Sequence, residues 1–569
     1  MPNHLPAWFT LLRERQMVPK LCGGDLEFAN FTTGIEAAGG TGLETATALL
    51  AEIEGLPAAG KGNGKDNADS DASSEPGSGS GSTTSPAART DTFSPYSQDC
   101  GRKFLLNGGC FYIDLQHLEG CLPEVRSALD HLAATHAVYR LAHAACAAAN
   151  AKQLPGRRLH VLATNSDGLG NSFGSHLNLL VTRRAWVNLF HRKLHYQGFL
   201  AAYEASSLVF TGLGKIGAEN GAPRVHFQLS QRADFFETVT GLQTTYRRPL
   251  LNTRDEPLCG ARPSILAPSL TALHLARLHV IFYDHNLCHA AGFLKVGVLQ
   301  LMLAMIETDH VDPSLLLEEP LDAAIRWSHD PTLRARAPLL AGGEVTAVEL
   351  QLRFLEAARR FVDAGQCEGI VPDATLILEH WADTLAHLEA RRWEPLSRRL
   401  DWVLKLTLLE QTLAQQPHLD WSSPALKHLD HLYSSLDPAE GLYWACERSG
   451  LVERLVPESR ITRLMSEPPT DTRAWTRATL LRLADPTTVD HLDWDQLRFQ
   501  VNGRPVYWTL DLPDPLGATR AETAPLLPEA GTLWDALDAL DATFSIETPL
   551  STVIPTPSSS HARTTANPI

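Results

Sequence analysis

Three separated runs of the chain alternate apolar and polar side chains with a period of two: Cys110-Phe111-Tyr112-Ile113-Asp114, Arg224-Val225-His226-Phe227-Gln228-Leu229 and Leu278-His279-Val280-Ile281-Phe282. A strand sends successive side chains to opposite faces, so such runs predict half-buried strands, several with polar groups gathered on one face. A second pattern, apolar at three-to-four spacing, predicts helices over 123–151, 293–308, 347–364, 376–390, 395–415 and 471–483, with Pro123 suited to a first turn. Strands cluster before residue 285 and helices after it, which predicts an α+β fold rather than a repeating βαβ one.

One stretch has neither pattern. From Pro57 to Pro95 there is no Leu, Ile, Val or Met, and Phe93 is the single aromatic, so the segment cannot offset its ordering entropy by burial. Strand-like sequence on both sides makes it an insertion within a domain rather than a linker. The end of the chain, from about Thr548, reads as a second disordered stretch.

Composition narrows the function. The 569 residues and 62.3 kDa allow several domains, and 44% apolar residues supply a sizeable core. The net charge of −16 argues against nucleic acid as the main partner, since phosphate-backbone binding draws on Lys and Arg. Nine cysteines, odd in number and without a CxxC pair, read as reduced thiols. Charges at Arg13, Glu14 and Arg15 interrupt any signal-peptide core, and no apolar run approaches membrane-spanning length, so no membrane is expected and the cytoplasm is the expected compartment.

Among short motifs, Gly212-Leu213-Gly214-Lys215-Ile216-Gly217 matches GxGxxG after a strand-like Leu208-Val209-Phe210. The residues that follow, Ala218 to Pro223, cannot open a helix to receive a pyrophosphate, so the motif reads as a turn. A better signal lies in acids spaced two apart. Asp25 and Glu27 share one strand face opposite Leu26 and Phe28, and Tyr112 and Asp114 repeat the arrangement opposite Phe111 and Ile113. With Glu119, His176 and His279, such a face suits Mg²⁺ or Mn²⁺ holding a nucleotide phosphate, although strand-face acids are more often simply solvated. Arg232 and Arg254 fit phosphate oxygens, or else form structural ion pairs with neighbouring Asp234 or Asp255.

Longer words then carry a resemblance: Ser230-Gln231-Arg232-Ala233-Asp234-Phe235-Phe236-Glu237, Asn252-Thr253-Arg254-Asp255-Glu256-Pro257, Arg277-Leu278-His279-Val280-Ile281, Gly170 through His176, and Asp493-Trp494-Asp495. In this order they closely resemble the Pup ligases and Pup deamidases, which attach the prokaryotic ubiquitin-like protein Pup to lysines, or deamidate its C-terminal glutamine and remove it from conjugates. The resemblance implies a glutamine-synthetase-like curved antiparallel sheet forming a cradle backed by helices, plus a small C-terminal domain. It places an N-terminal extension at 1–20, the large domain at 21–450, the small domain at 451–515 and a mostly disordered tail at 516–569. It implies Asp114 as the catalytic residue and Asp25, Tyr112, Glu119, His176 and His279 at the Mg²⁺ site. Glu27, Arg232, Arg254 and Trp494 would serve ATP and its phosphates. The implied partners are a Pup-like modifier and its conjugates, with the proteasome system beyond them.

Two details favour the deamidase and depupylase branch: the five-residue step from Asp114 to Glu119, one shorter than in the ligases, and the insertion ahead of the catalytic strand. Departures are also visible. Asp25 stands where the family has Glu, Cys110 replaces an ATP-contacting Arg, Leu177 replaces a Glu, and Leu258 replaces a His. The alternatives are a Pup ligase, a non-catalytic scaffold that binds Pup or a proteasome component, and a small-molecule γ-glutamyl amine ligase.

Overall fold

The alternation of the first strand is realised in full: β1 (Cys22–Thr33) buries Cys22, Leu26 and Phe28 and turns Asp25 and Glu27 to the other face. The computed structural model describes residues 17–35, 41–57, 100–256, 258–259, 274–501, 507–527 and 531–541. Six further strands join β1 in one path: β2 (Leu56–Pro57), β3 (Cys100–Phe104), β4 (Cys110–Asp114), β5 (His117–Cys121), β7 (Ser175–Thr182) and β12 (Leu275–Val280). The spatial order is β12, β7, β1, β5, β4, β3, β2, and β6 (Arg158–Leu162) completes the eight strands by pairing with the far half of β1. Every pairing in this sheet is antiparallel.

One face of the sheet is apolar and lies against helices. Leu26, Phe28, Phe111 and Ile113 share a continuous core with α1 (Gly42–Glu52), α2 (Ala128–Asn150), α3 (Leu194–Thr211) and α4 (His289–Glu307). Helix α4 has the length and hydropathy of a membrane span, yet all of its residues are buried in this core. Outside it pack α5 (Ala347–Asp363) and α6 (Ala374–Glu389). Helix α5 starts at a capping box in which the Thr346 hydroxyl accepts from the Glu349 amide, a contact worth about 1 kcal/mol.

Several sequence expectations are corrected. Helix α2 begins at Ala128, where the Ser127 hydroxyl accepts from the Asp130 amide at 3.0 Å, and Pro123 precedes it in extended chain. Leu208, Val209 and Phe210 are not a strand: they are the buried last turns of α3, which Gly212 ends. The run 224–229 pairs only as β9 (Phe227–Gln228) with β8 (Lys215–Ile216). The GxGxxG segment, expected to be a turn, instead runs from the end of α3 through the short strand β8, with Gly214 and Gly217 flanking it at φ +75° and +79°, in the left-handed region that glycine tolerates. The helix expected over 395–415 is two, Trp393–Ser397 and α7 (Asp401–Gln415). It breaks where the Asp401 carboxylate turns inward to accept from the amides of Leu287 and Cys288 at 3.1 and 3.0 Å and from the Tyr433 hydroxyl at 2.9 Å.

The C-terminal region builds a second core from α8 (Ala474–Leu483) and a three-stranded antiparallel sheet, β15 (Val489–Leu492), β16 (Gln496–Gln500) and β17 (Tyr507–Asp511). Residues expected in a tail contribute to it. Leu533, Ala536, Leu537 and Leu540 of α9 (Leu533–Asp541) follow i, i+3, i+4, i+7 spacing and are buried against Leu497 and Phe499. This core also includes Phe104, Cys110 and Cys121, so the C-terminal unit sits on the rim of the large sheet's acidic face.

A buried ionic joint holds the two together. Glu124 accepts from Arg473 Nε at 2.8 Å and Arg477 Nη2 at 2.6 Å, while Arg473 also donates to Leu512 O and Arg477 to the carbonyls of Gly108 and Trp494. Burial alone would raise the Glu124 carboxyl, but the guanidinium groups of Arg477 and Arg473 outweigh it and hold it at about 2.

The insertion at 57–95, Pro57 apart, lies outside the described residues, but its flanks do not. Strands β2 and β3 pair directly, Leu56 with Phe104 and Pro57 with Lys103. Deleting 58–95 leaves residues 96–99 to close that hairpin, and loop length carries only a logarithmic entropic cost. The deletion is expected to leave the thermal midpoint within a few degrees of the full chain, roughly a 1 kcal/mol effect. A differential scanning calorimetry trace with a large drop would count against it.

Candidate active site

Strand register decides which polar groups meet. Asp25 lies opposite Cys121 on one side and His176 on the other, Glu27 lies opposite Glu119, and Tyr112 is opposite Glu119 across the β4 to β5 ladder. Asp114 pairs with His117 at the tight turn that closes this hairpin, where Leu115 takes a positive φ of 54°. Directly opposed residues share a face, so all of these side chains project from the side away from the helices.

Two groups result. The ligand atoms of Glu27, Asp114 and Glu119 lie within 4.8 Å of one another, and so do those of Asp25, Glu119 and Cys121. Burial raises the Glu119 carboxyl well above the usual carboxylate range, and the neighbouring Glu27, Asp25 and Asp114 raise it further, against a hydrogen bond from Tyr112. Glu119 is 3% exposed and its Oε2 atom has no hydrogen-bond partner. Carboxylates crowded around the orphaned buried oxygen of Glu119 fit a hard divalent cation nearby, whose charge removes their mutual repulsion.

The orientation of Asp25 is set by neighbours. Asn178 Nδ2 donates to Asp25 Oδ2 at 2.8 Å, and Asn178 Oδ1 in turn accepts from Arg277 Nη1 at 2.9 Å and lies 2.8 Å from His279 Nδ1. His279 is thereby a support of Asp25. His176 and His279, expected among the metal ligands, belong to neither carboxylate group. Their rings pack edge to face at 5.0 Å, and burial followed by nearby arginines drives both imidazoles well below their ordinary value. For His176 those arginines are Arg232, Arg248, Arg254 and Arg277, a concentration of positive charge that suits an anion nearby.

The words of the sequence acquire separate roles here. The Asp284 carboxylate accepts from the Gln231 amide at 2.8 Å, the Leu213 amide at 2.9 Å and the Ser230 hydroxyl at 3.1 Å, which fixes the loop that presents Arg232. Arg232 is buried and donates to Phe173 O, and Arg248 Nη2 donates to Ser172 O at 2.8 Å. The Gly174 amide donates to Glu27 Oε2, so the 172–174 loop is held between both arginines and the acid cluster. The structural ion pairs expected of Arg232 with Asp234 and of Arg254 with Asp255 are not among those of the described residues. Asp234 is engaged by His329 at 2.6 Å and Asp255 by Arg183 at 2.7 Å, while among the described residues the Arg254 guanidinium lies 3.9 Å from the Glu256 carboxylate.

Trp494 arrives from the turn between β15 and β16, packed edge to face with Phe104 at 5.5 Å and with the Arg477 guanidinium over its ring at 4.9 Å. It lines one cavity with Gly23, Asp25, Asn178, Arg277 and Leu258. Asn178, Arg248, Arg277, His117 and Cys121 received no role from sequence reasoning. The same-face spacing of Cys121 to Glu119, and of Asn178 to His176, was the available signal.

Gly174 has a steric requirement as well. A Cβ there would stand 2.0 Å from His176 Nε2, so Gly174→Ala must displace that ring. The expected effect is a loss of about 1 to 3 kcal/mol of stability, read by denaturant unfolding of a chain with unchanged circular dichroism.

An antiparallel cradle with acids on its open face, helices behind it and a small unit on its rim is the glutamine-synthetase-like fold. The structure superposes on the complex between Pup and its ligase PafA with a TM-score of 0.70 and 22% identity, covering 92% of each chain. It superposes on the Pup ligase PafA in complex with ADP with a TM-score of 0.64 and 26% identity, covering 76% of this chain and 90% of that one. In sequence the chain is 36% identical over 437 residues to the depupylase of Acidothermus cellulolyticus, covering 77% of this chain and 82% of that protein. It is 33% identical over 401 residues to the Pup–protein ligase of Acidimicrobium ferrooxidans, covering 69% and 83%. The profile of the family described as Pup-ligase protein matches residues 58–498, and the chain belongs to that family.

Proposed function

We propose that the chain is an ATP- and Mg²⁺-dependent deamidase and depupylase, hydrolysing the C-terminal glutamine side-chain amide of a Pup-like modifier or its isopeptide bond to lysine. The observation that carries this reading is the convergence of Glu27, Asp114 and Glu119 within 4.8 Å, beside a His176 surrounded by the charges of Arg232, Arg248, Arg254 and Arg277. Acids and guanidinium groups in one neighbourhood suit a nucleotide phosphate and its counter-ion together. The ADP complex of the related ligase supports a nucleotide in this cleft, and the Pup complex supports the modifier as partner.

Asp25, Tyr112 and Glu119 would hold the cation, with Asn178 and His279 fixing Asp25. Bound Mg²⁺ and nucleotide would supply positive charge and a phosphate surface against the scissile carbonyl. Arg232 and Arg254 would orient the phosphates, and Trp494 would cover the nucleotide from the rim. Asp114 stands at the end of its strand beside the turn, from which its carboxylate would act on a substrate carbonyl or on the water that attacks it. The tight hairpin, with its five-residue step to Glu119, and the insertion between the paired strands β2 and β3 support the hydrolytic branch over the ligase.

The test is incubation with a Pup ending in glutamine, ATP and Mg²⁺, reading ammonia. Release of ammonia supports the reading. ADP formation that requires a glutamate-ended Pup and a lysine acceptor would replace it with the ligase, and binding without turnover would replace it with a scaffold.

A further inference from the structure

Cys121 lies two residues beyond Glu119 on β5, so its side chain projects into the acidic face, opposite Asp25 on β1 and Cys110 on β4. It is 4% exposed, faces the Cys110 thiol across the ladder, and is free of any disulfide. Its Sγ and carboxylate oxygens of Asp25 and Glu119 lie within 4.8 Å of one another. The unpartnered Glu119 Oε2 is buried at the same place.

A thiol is a poor ligand for Mg²⁺, which takes oxygen, and a good one for softer ions. In a tetrahedral zinc site, bond lengths of about 2.0 to 2.3 Å put neighbouring ligand atoms roughly 3.5 Å apart, so this trio needs to contract by little more than an ångström. Three protein ligands leave a fourth position for water, as in open zinc sites.

We propose that Asp25, Glu119 and Cys121 form a cation site selective for a thiophilic divalent ion of the zinc class, overlapping the Mg²⁺ site of the proposed function at Asp25 and Glu119. As the sulfur bonds to the ion, its proton leaves to solvent. Because Glu119 and Asp25 also serve the Mg²⁺ site of the proposed function, on which this inference rests, a bound thiophilic ion displaces Mg²⁺ and silences the site.

The test uses the full chain, kept reduced by a non-thiol reductant, titrated with Co²⁺ in the absence of nucleotide. The expected result is a near-ultraviolet sulfur-to-cobalt charge-transfer band that saturates at one equivalent, persists in excess Mg²⁺ and disappears when Zn²⁺ is added. Cys121→Ser is expected to abolish the band. Asp25→Asn is expected to keep the band at saturation while weakening Co²⁺ binding by roughly tenfold or more. Absence of the band in the unaltered chain, or its persistence in Cys121→Ser, overturns the proposal. If Cys121→Ser fails to fold, an unchanged Co²⁺ affinity in Asp25→Asn overturns it instead. Ammonia release with Mg²⁺ and ATP is a separate readout: a missing band beside intact turnover sinks the thiol site alone, and a band without turnover sinks the functional reading alone.

Discussion

Asp114→Asn is expected to stop ammonia release from glutamine-ended Pup, with kcat falling by roughly 10² to 10⁴, while the chain folds and still binds nucleotide. The substitution keeps the shape of the side chain and removes the charge that a base or nucleophile needs. Asp114 sits at the strand end, opposite His117 and within 4.8 Å of Glu27 and Glu119 at their ligand atoms, so one fewer charge also relieves crowding. Nucleotide affinity, measured by calorimetric titration in Mg²⁺, should therefore be kept while turnover is lost. Equal loss of both would mean that Asp114 holds the cation rather than acting on substrate.

Glu124→Gln is the second large effect. The carboxyl is held at about 2 against an ordinary 4.5, a difference that corresponds to about 3 kcal/mol of stability. Because the folded-state value is depressed, this contribution is complete above pH 4.5 and is lost as pH falls toward 2. The variant leaves Arg473 and Arg477 buried without their carboxylate, and breaking a buried pair in this way costs roughly 3 to 5 kcal/mol. Denaturant unfolding at pH 7 should show that loss, and the gap between the unaltered chain and the variant should narrow in acid. A gap independent of pH would assign the effect to packing. Since Arg477 also donates to Trp494 O, the variant should weaken nucleotide binding even where it remains folded.

Much of the fold was legible because backbone geometry writes its own period. Leu26 and Phe28 against Asp25 and Glu27, or Phe111 and Ile113 against Tyr112 and Asp114, state both that a strand forms and which side is wet. The errors arose where that local rule competes with distant partners. Leu208-Val209-Phe210 has strand composition but ends a helix buried on all sides, where no polar face remains to reveal the period. The break before Asp401 depends on amides at 287 and 288 that no window of sequence contains.

The site divides in the same way. The sequence by itself determined the residue types, the pairing of acids on single strand faces, and the words that place the chain in its family. Tertiary structure alone decided which acids face one another. The register that brings Glu27 onto Glu119, and Asp25 between Cys121 and His176, joins strands far apart in the chain, and a slip of one residue would turn every one of them into the helical core. It also decided that Asp234 and Asp255 go to His329 and Arg183 rather than to the arginines beside them in sequence, because an ion pair is chosen by distance in space and not by distance along the chain.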